Sequence, residues 1–203
     1  PATALSVEQR RPGAISFAAM VPLQVYNTLQ VPAEEAWLRS VRQLIIGGGA
    51  VDDGLARRLR RFPNAVWSTY GMTETLSHIA LRRLSGPKAS EWYTPFHGVQ
   101  LGQDAAGCLV IDAPLVHDGR LVTHDRVELL PGKGFRILGR KDNVIVSGGI
   151  KIQIEEVEKA LRPFLVKPFL ITKAPSAKYG EKVVLLTEAT DMAEVAELCT
   201  NAL

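Results

Sequence analysis

Tyr70-Gly71-Met72-Thr73-Glu74 puts an aromatic ring, a hydroxyl and a carboxylate side by side, directly after the strand-like run Ala65-Val66-Trp67. A tight glycine turn at a strand end exposes the next hydroxyl and carboxylate into a crevice. There Thr73 can donate to a phosphate oxygen, Glu74 can hold a hard cation such as Mg²⁺ through oxygen, and Tyr70 offers a flat face to a base. A capped helix start after a turn accounts for the same residues equally well. A second constellation lies about seventy residues further on: Gly139-Arg140-Lys141-Asp142-Asn143, then Ser147-Gly148-Gly149, then Ile152-Gln153-Ile154-Glu155-Glu156-Val157-Glu158. Gly47-Gly48-Gly49-Ala50 also follows a strand-like run, although a glycine run there is often only a turn.

The elements that must position these groups change in kind along the chain. Residues 14–21 are an apolar run, and Pro22 opens a helical stretch with Leu23, Tyr26 and Leu29 on one side. Pro32 starts another helix through Glu34, Glu35, Trp37 and Leu38. Leu44-Ile45-Ile46 is a short buried-type strand, and Asp52 or Asp53 can cap the Arg-rich helix that follows. Strand–helix alternation of this kind predicts part of a parallel, doubly wound α/β sheet, whose ligands bind at the C-terminal ends of the strands. Gly47–Ala50 and Tyr70–Glu74 fall at such ends.

From Gly98 the pattern becomes short strands (109–111, 121–122 and 127–130), with Pro131-Gly132-Lys133-Gly134 as a hairpin-like turn into a strand over 135–138. This predicts a small, mostly antiparallel β-unit. After Gly139 a helix marked by Ile154, Val157 and Leu161 stops before Pro163. Strands at 169–172 and 183–187 and a helix after Asp191 then complete a small α+β domain.

Composition narrows the class. The 203 residues are 46% hydrophobic and 22% charged, an ordinary globular balance, and a net charge of +3 indicates no nucleic-acid partner by itself. Arg57, Arg58, Arg60 and Arg61 interleave with Leu55 and Leu59 at helical spacing, which reads as a solvated helix face. Cys108 and Cys199 lack metal-ligand spacing and fit a reducing compartment, with Cys108 a small core residue. No apolar run approaches the ~20 residues of a membrane span, and there is no signal sequence, so a cytoplasmic protein without a membrane span is expected. The chain starts without Met and stops inside a helical pattern, so both ends look cut.

The second constellation resembles the adenylate-forming superfamily of acyl-CoA synthetases, luciferases and peptide-synthetase adenylation domains. Y-G-x-T-E and G-R-x-D…G-G…E-E-V-E occur in the family's order. Leu121-Val122-Thr123-His124-Asp125 resembles its T-G-D segment, with His124 in place of the glycine, and Gly107-Cys108-Leu109-Val110-Ile111 resembles its G-E-L-x-I strand. The resemblance covers nearly the whole chain, from the Val21-Pro22 helix to Leu203. It implies that residues 1–139 are the C-terminal part of a large adenylate-binding domain and that 140–203 are a small mobile domain, truncated.

The resemblance also implies roles. Tyr70 would stack on adenine, Thr73 would contact the α-phosphate and Glu74 would bind Mg²⁺. Asp125 would accept from both ribose hydroxyls, and Arg140 would add a guanidinium contact to the ribose or phosphate side. Asp142 matches the hinge about which the small domain rotates. Gly148 and Gly149 would let the pantetheine arm of coenzyme A approach the backbone, and Gly47-Gly48-Gly49 matches a loop between adenine and acyl substrate. The implied activity is AMP-forming acid–CoA ligation, with ATP or AMP, Mg²⁺ and coenzyme A as cofactors and a small carboxylic acid as substrate; a homo-oligomer stays open.

Tyr70–Ile79 and Ser147–Glu158 look like the corresponding segments of o-succinylbenzoate–CoA ligases of menaquinone biosynthesis. In that reading Ser77 would face the acyl pocket, and the substrate's carboxylate would call for a cation or several polar donors. The alternative places Ser77 and His78 on a helix after the turn. Another aryl or fatty acid–CoA ligase, or a non-catalytic adenylate-binding module, are the competing functions. A Ser/Thr/Gly-rich phosphate loop with its lysine, and a catalytic lysine in a Gly-Lys context, do not occur within these residues. The 203-residue chain alone is therefore expected to be inactive in adenylation.

Overall fold

The computed structural model describes residues 15–132 and 134–202. Ala14 of the first apolar run, Lys133 of the turn, and the start and end of the chain lie outside the described residues. The chain divides into two compact units. The first takes residues up to Gly102, Val110–Leu121 and Leu129–Arg136; the second takes Gln103–Leu109, Val122–Glu128 and the residues from Ile137 on.

In the first unit, the expected alternation produces β1 (Phe17–Met20), α1 (Pro22–Thr28), α2 (Pro32–Ser40), β2 (Gln43–Ile46), α3 (Asp53–Leu59) and β3 (Ala65–Gly71). Pro22 and Pro32 start their helices where a missing N–H costs nothing. Asp52 caps α3, its Oδ1 accepting from Gly54 N at 2.8 Å and Leu55 N at 3.2 Å. β1, β2 and β3 pair in parallel, as predicted. The sheet then continues antiparallel with β4 (His78–Arg83) and β5 (Thr94–Pro95), giving the order β1-β2-β3-β4-β5. The antiparallel extension adds to the parallel portion that was expected; only a tight turn separates β3 from β4, and a parallel crossover needs a dozen residues or more.

Val25, Leu38, Leu44, Ile46, Leu59 and Val66 are fully buried between this sheet and its helices. Each such side chain contributes about 1.5–3 kcal/mol relative to exposure, so this core fixes the strand ends that carry the site. Arg57, Arg58, Arg60 and Arg61 are exposed on α3 and its end. Arg58 and Arg39 both pair with Glu35, at 2.7 and 2.8 Å, and hold its carboxyl below the usual range.

A four-stranded sheet follows in the order β6 (Gln100–Gln103), β7 (Cys108–Asp112), β8 (Arg120–Leu130) and β9 (Gly134–Arg140). The two short strands expected at 121–122 and 127–130 are one continuous strand, β8. Polar His124-Asp125-Arg126 interrupts the apolar signal, but every other residue around it still faces inward, with Thr123 and Val127 buried. Cys108 is fully buried, as expected, and burial pushes its thiol up.

The second unit closes with β10 (Val144–Ser147), β11 (Ile150–Gln153), α4 (Ile154–Leu161), β12 (Phe169–Ser176), β13 (Gly180–Thr187) and α5 (Met192–Ala202). The last sheet has the order β11-β10-β13-β12. Val157, Leu161, Ile145, Ile171 and Val195 form its core, so α4 buries the face that Ile154, Val157 and Leu161 define. This is the expected small α+β fold. No helix among the described residues is long and apolar enough to cross a membrane.

Candidate functional site

β3 delivers its last residues into a turn that admits one conformation. The β3–β4 register shifts between Tyr70 and Gly71, and Gly71 pairs with His78. A Cβ at Gly71 would overlap Ser77 O and lie 2.5 Å from His78 Cα, so the two chains can approach this closely only with glycine there. Thr75, buried, ties the loop internally: its Oγ1 accepts from Met72 N at 3.1 Å and lies 3.0 Å from Met72 O and 2.7 Å from Ser77 O. Thr73 and Glu74 stand exposed on this frame, and Glu74 has no hydrogen bond or ion pair among the described residues.

The helix that the alternative reading placed after the turn is absent. Thr73–Thr75 is a single 3₁₀ turn, and β4 begins at His78. Leu76 accommodates the reversal with φ +61°, the one positive φ at a non-glycine among the described residues. Such a backbone costs about 1–3 kcal/mol and is held only when its surroundings over-determine it. Because Leu76 is 79% exposed, its side chain contributes little burial. Leu76→Gly is therefore expected to raise stability by about 1 kcal/mol, the relief of strain exceeding the entropy that glycine adds to the unfolded chain. A lower urea midpoint than wild type would contradict this.

Tyr70 is 7% exposed. Its ring meets Phe135 edge-on at 4.9 Å and Tyr93 at 5.9 Å, so a purine would reach it over a narrow strip rather than an open face. Tyr93 in turn shares a 2.8 Å hydrogen bond with Ser68 on β3. Gly47–Gly49 leave the end of β2, and Gly47 packs directly on the hydroxyl of Thr69 in β3. Both loops thus sit at C-terminal ends of parallel strands, where the sequence placed them.

In the second unit, β8 and β9 gather a separate cluster of charge. Arg140 grips Asp142 as a two-pronged fork, with Nε to Oδ1 at 2.9 Å and Nη2 to Oδ2 at 2.8 Å. Its remaining Nη1 donates to Asp125 Oδ1 at 3.2 Å. The Asp125 side chain is only 14% exposed, and Asp125 N donates to Thr123 Oγ1 at 3.1 Å. Arg140 therefore orients Asp125, and its own charge is already met by two carboxylates.

His124 takes an ordinary strand conformation, so the residue standing where glycine was expected introduces no left-handed backbone. Its Nδ1 lies 3.3 Å from Asp142 Oδ2. Hydrogen bonds from Arg140, and then from His124, hold the Asp142 carboxyl far below the usual carboxylate range. A carboxyl with a depressed folded value contributes stability above the ordinary range and loses it only as pH falls through that depressed value. The pair therefore stays intact at neutral and mildly acidic pH.

Around this cluster the second unit is cross-braced. Gln153 Nε2 donates to Arg140 O at 2.7 Å and to Glu155 Oε2 at 2.6 Å, while Asn143 Nδ2 donates to Glu155 Oε1 at 2.9 Å. Gly148 and Gly149 form the two-residue turn of the β10–β11 hairpin, with φ +56° and +87°. Two consecutive positive φ values define the hairpin turn that favours glycine, so the turn alone accounts for both residues.

Gly71 makes the tight turn expected of it, while Thr75, Gln153 and Glu155 shape these sites without having been given individual roles. The signal for Gly71 was its place between a strand and a polar triplet. Nothing in the local pattern marks Thr75 as the one threonine of the loop that turns inward. No group of three or more His, Cys, Asp and Glu side chains able to hold a metal occurs among the described residues.

The first unit thus presents an exposed hydroxyl and carboxylate on a turn after a parallel strand, and the second unit, by itself, a largely buried carboxylate held by arginine. The profile of a family described as AMP-binding enzyme matches residues 9–111, half of the chain, and the chain belongs to that family. It is 27% identical over 196 residues to the 2-succinylbenzoate–CoA ligase of Salmonella typhimurium, a match covering 88% of this chain and 41% of the relative. It is 34% identical to a solved acyl-CoA synthetase (AMP-forming)/AMP-acid ligase II-like protein from Dyadobacter fermentans, with a TM-score of 0.60, covering 94% of this chain and 57% of that one. It shares its fold with o-succinylbenzoate CoA synthetase from Bacillus subtilis, solved with an acyl-adenylate intermediate, at TM-score 0.70 and 20% identity, covering 93% and 45% of the two chains. The chain spans about two fifths of the length of the curated relatives it matches.

Proposed function

We propose that this chain is part of an AMP-forming acid–CoA ligase acting on a 2-succinylbenzoate-type acid. The observation that carries the reading is the Arg140-oriented, nearly buried Asp125 carboxylate, a preorganised acceptor suited to the paired hydroxyls of a ribose. The names of its curated relatives support the choice of acid.

In this reading the acid's carboxylate attacks the α-phosphorus of ATP, and the bond to pyrophosphate breaks. The thiol of coenzyme A then attacks the acyl carbon of the mixed anhydride, loses its proton and expels AMP. Thr73 donates to the α-phosphate, and the edge of Tyr70 borders the base. Glu74 would hold a Mg²⁺ brought by the nucleotide, whose charge would offset that of the phosphates. The donor set fits it, because Mg²⁺ takes one or two carboxylates together with phosphate oxygens, and Glu74 is an exposed, unengaged carboxylate. Gly47–Gly49 lie on the side of base and acyl group, Gly148 and Gly149 on the path of the pantetheine arm, and Asp142 at the hinge between residues 1–139 and 140–203.

Arg140 acts chiefly by holding Asp125 and Asp142, with contact to the nucleotide secondary. The test is a panel of carboxylic acids given to the full-length protein with ATP, Mg²⁺ and coenzyme A, scored as thioester. A kcat/KM for 2-succinylbenzoate at least tenfold above those for benzoate and medium-chain fatty acids is expected; equal or higher values for the others would assign a different acid.

A further inference from the structure

We propose that His124 is a positioning residue for domain rotation, its Nδ1 donating to the Asp142 carboxylate and latching the hinge in the arrangement that readies the nucleotide site. In the acid–CoA ligase reading, on which this inference rests, Asp142 is the hinge between residues 1–139 and 140–203. The imidazole stands where the resemblance leads one to expect glycine. Glycine has no side chain to offer Asp142, so the contact belongs to this chain's own residue.

The groups concerned all lie in the second unit. Along β8 an exposed His124 is followed by a more buried Asp125, so the two side chains leave the strand on opposite faces. Both nevertheless serve the segment that leaves β9. Arg140, the last residue of β9, reaches Asp125 through Nη1 and grips Asp142 with Nε and Nη2. His124 meets Asp142 directly, with Nδ1 3.3 Å from Oδ2. Lys141 N donates to His124 O at 2.7 Å, so the backbone just before the hinge is paired to the same residue.

The acceptor decides where the imidazole proton lies. Asp142 stays ionised at neutral pH, and an ionised carboxylate only accepts, so Nδ1 carries the hydrogen. Two donors that precede Asp142 in the chain, the Arg140 guanidinium and the His124 ring, thus hold its carboxylate to the strands behind it. Rotation about the N–Cα bond of Asp142 carries its Cβ along and draws the carboxylate off these donors. The arrangement they hold is also the one in which Arg140 orients Asp125 for a ribose. Releasing the latch therefore shifts the balance from adenylation towards thioester formation. The two side chains are 64% and 48% exposed, so the latch is weak, and its loss amounts to about two- to fivefold.

The experiment measures the two half-reactions of the full-length protein separately by rapid quench, using the acid it activates best. The first is acyl-AMP formation from acid, ATP and Mg²⁺ without coenzyme A, and the second is thioester formation when coenzyme A meets the preformed acyl-AMP. His124→Phe keeps a ring and removes the donor, whereas His124→Asn places an N–H as many bonds from the backbone as Nδ1. In His124→Phe the ratio of the thioester-forming rate to the adenylating rate should rise about two- to fivefold, and His124→Asn should recover most of that difference. An unchanged or lower ratio in His124→Phe, or the same rise in both variants, would overturn the latch while leaving the ligase reading intact. Failure of the wild-type protein to form an acyl-AMP from any carboxylic acid would overturn the ligase reading and the inference with it.

Discussion

Asp125→Ala in the full-length protein is expected to lower kcat/KM for ATP by about a hundredfold or more. A hydrogen bond to a charged group is worth about 1.5–3 kcal/mol, and a carboxylate accepting from two ribose hydroxyls makes two. Their sum, about 3–6 kcal/mol, corresponds to roughly 10²–10⁴ in rate or affinity. The geometry argues for the upper part of that range. The carboxylate is 14% exposed and already oriented by Arg140 at 3.2 Å, so little freedom is lost when a ribose binds.

The loss should appear in the dependence on ATP and not in the dependence on the acid. It should also spare folding, because Arg140 keeps its fork to Asp142 when Asp125 is gone. Asp125→Asn, which keeps shape but removes the charge, should fall between wild type and alanine. Pyrophosphate release measured against ATP concentration decides the matter. A value for Asp125→Ala within threefold of wild type would mean that Asp125 is structural.

Gly71→Ala should have the largest effect on stability, about 3 kcal/mol, at the upper end of overpacking costs. The added Cβ would overlap the Ser77 carbonyl and lie 2.5 Å from His78 Cα, and both are backbone that cannot rotate aside. Only opening the β3–β4 pairing would relieve the clash, and that would also displace Thr73 and Glu74 from their places on the turn. Gly149→Ala provides the contrast. No atom lies within 4 Å of its Cβ position, so only its φ of +87° opposes the substitution, at about 1–2 kcal/mol. Urea midpoints of the two variants compare a packing cost with a backbone cost. A Gly71→Ala midpoint equal to or above that of Gly149→Ala would contradict the account.

The parts of this protein that were legible in its sequence are those in which chemistry and local pattern coincide. Tyr70–Glu74, Arg140 and Asp142 are polar or aromatic residues at turns and strand ends, and Pro22, Pro32 and Asp52 announce their helices by fixed φ or by capping. The β10–β11 hairpin was hidden because Val144–Ser147 is short and its turn is the same Gly148-Gly149 pair that carries a motif. β8 read as two strands because His124-Asp125-Arg126 is polar on both faces, although the pairing continues through it. The turn after Tyr70 left a helix start open as the alternative because Thr73-Glu74-Thr75 has capping composition. The inward hydroxyl of Thr75, the left-handed Leu76 and the closeness of Gly71 to His78 depend on contacts across the β3–β4 pairing, and no local window contains them.

The role of Arg140 shows the same division. The resemblance implied a contact to ribose or phosphate, and the structure adds a fork to Asp142 with a third bond to Asp125. The partner fifteen residues away is brought in by the pairing of β8 with β9, which residue type alone does not encode.

Formation of an acyl-adenylate is the central claim, and mass spectrometry tests it most directly. Full-length protein is incubated with ATP, Mg²⁺ and 2-succinylbenzoate in the absence of coenzyme A, and the products are identified. The account predicts 2-succinylbenzoyl-AMP and pyrophosphate in equal amounts, dependent on the acid and sharply reduced in Asp125→Ala. ADP with phosphate, or nucleotide turnover indifferent to the acid, would contradict it.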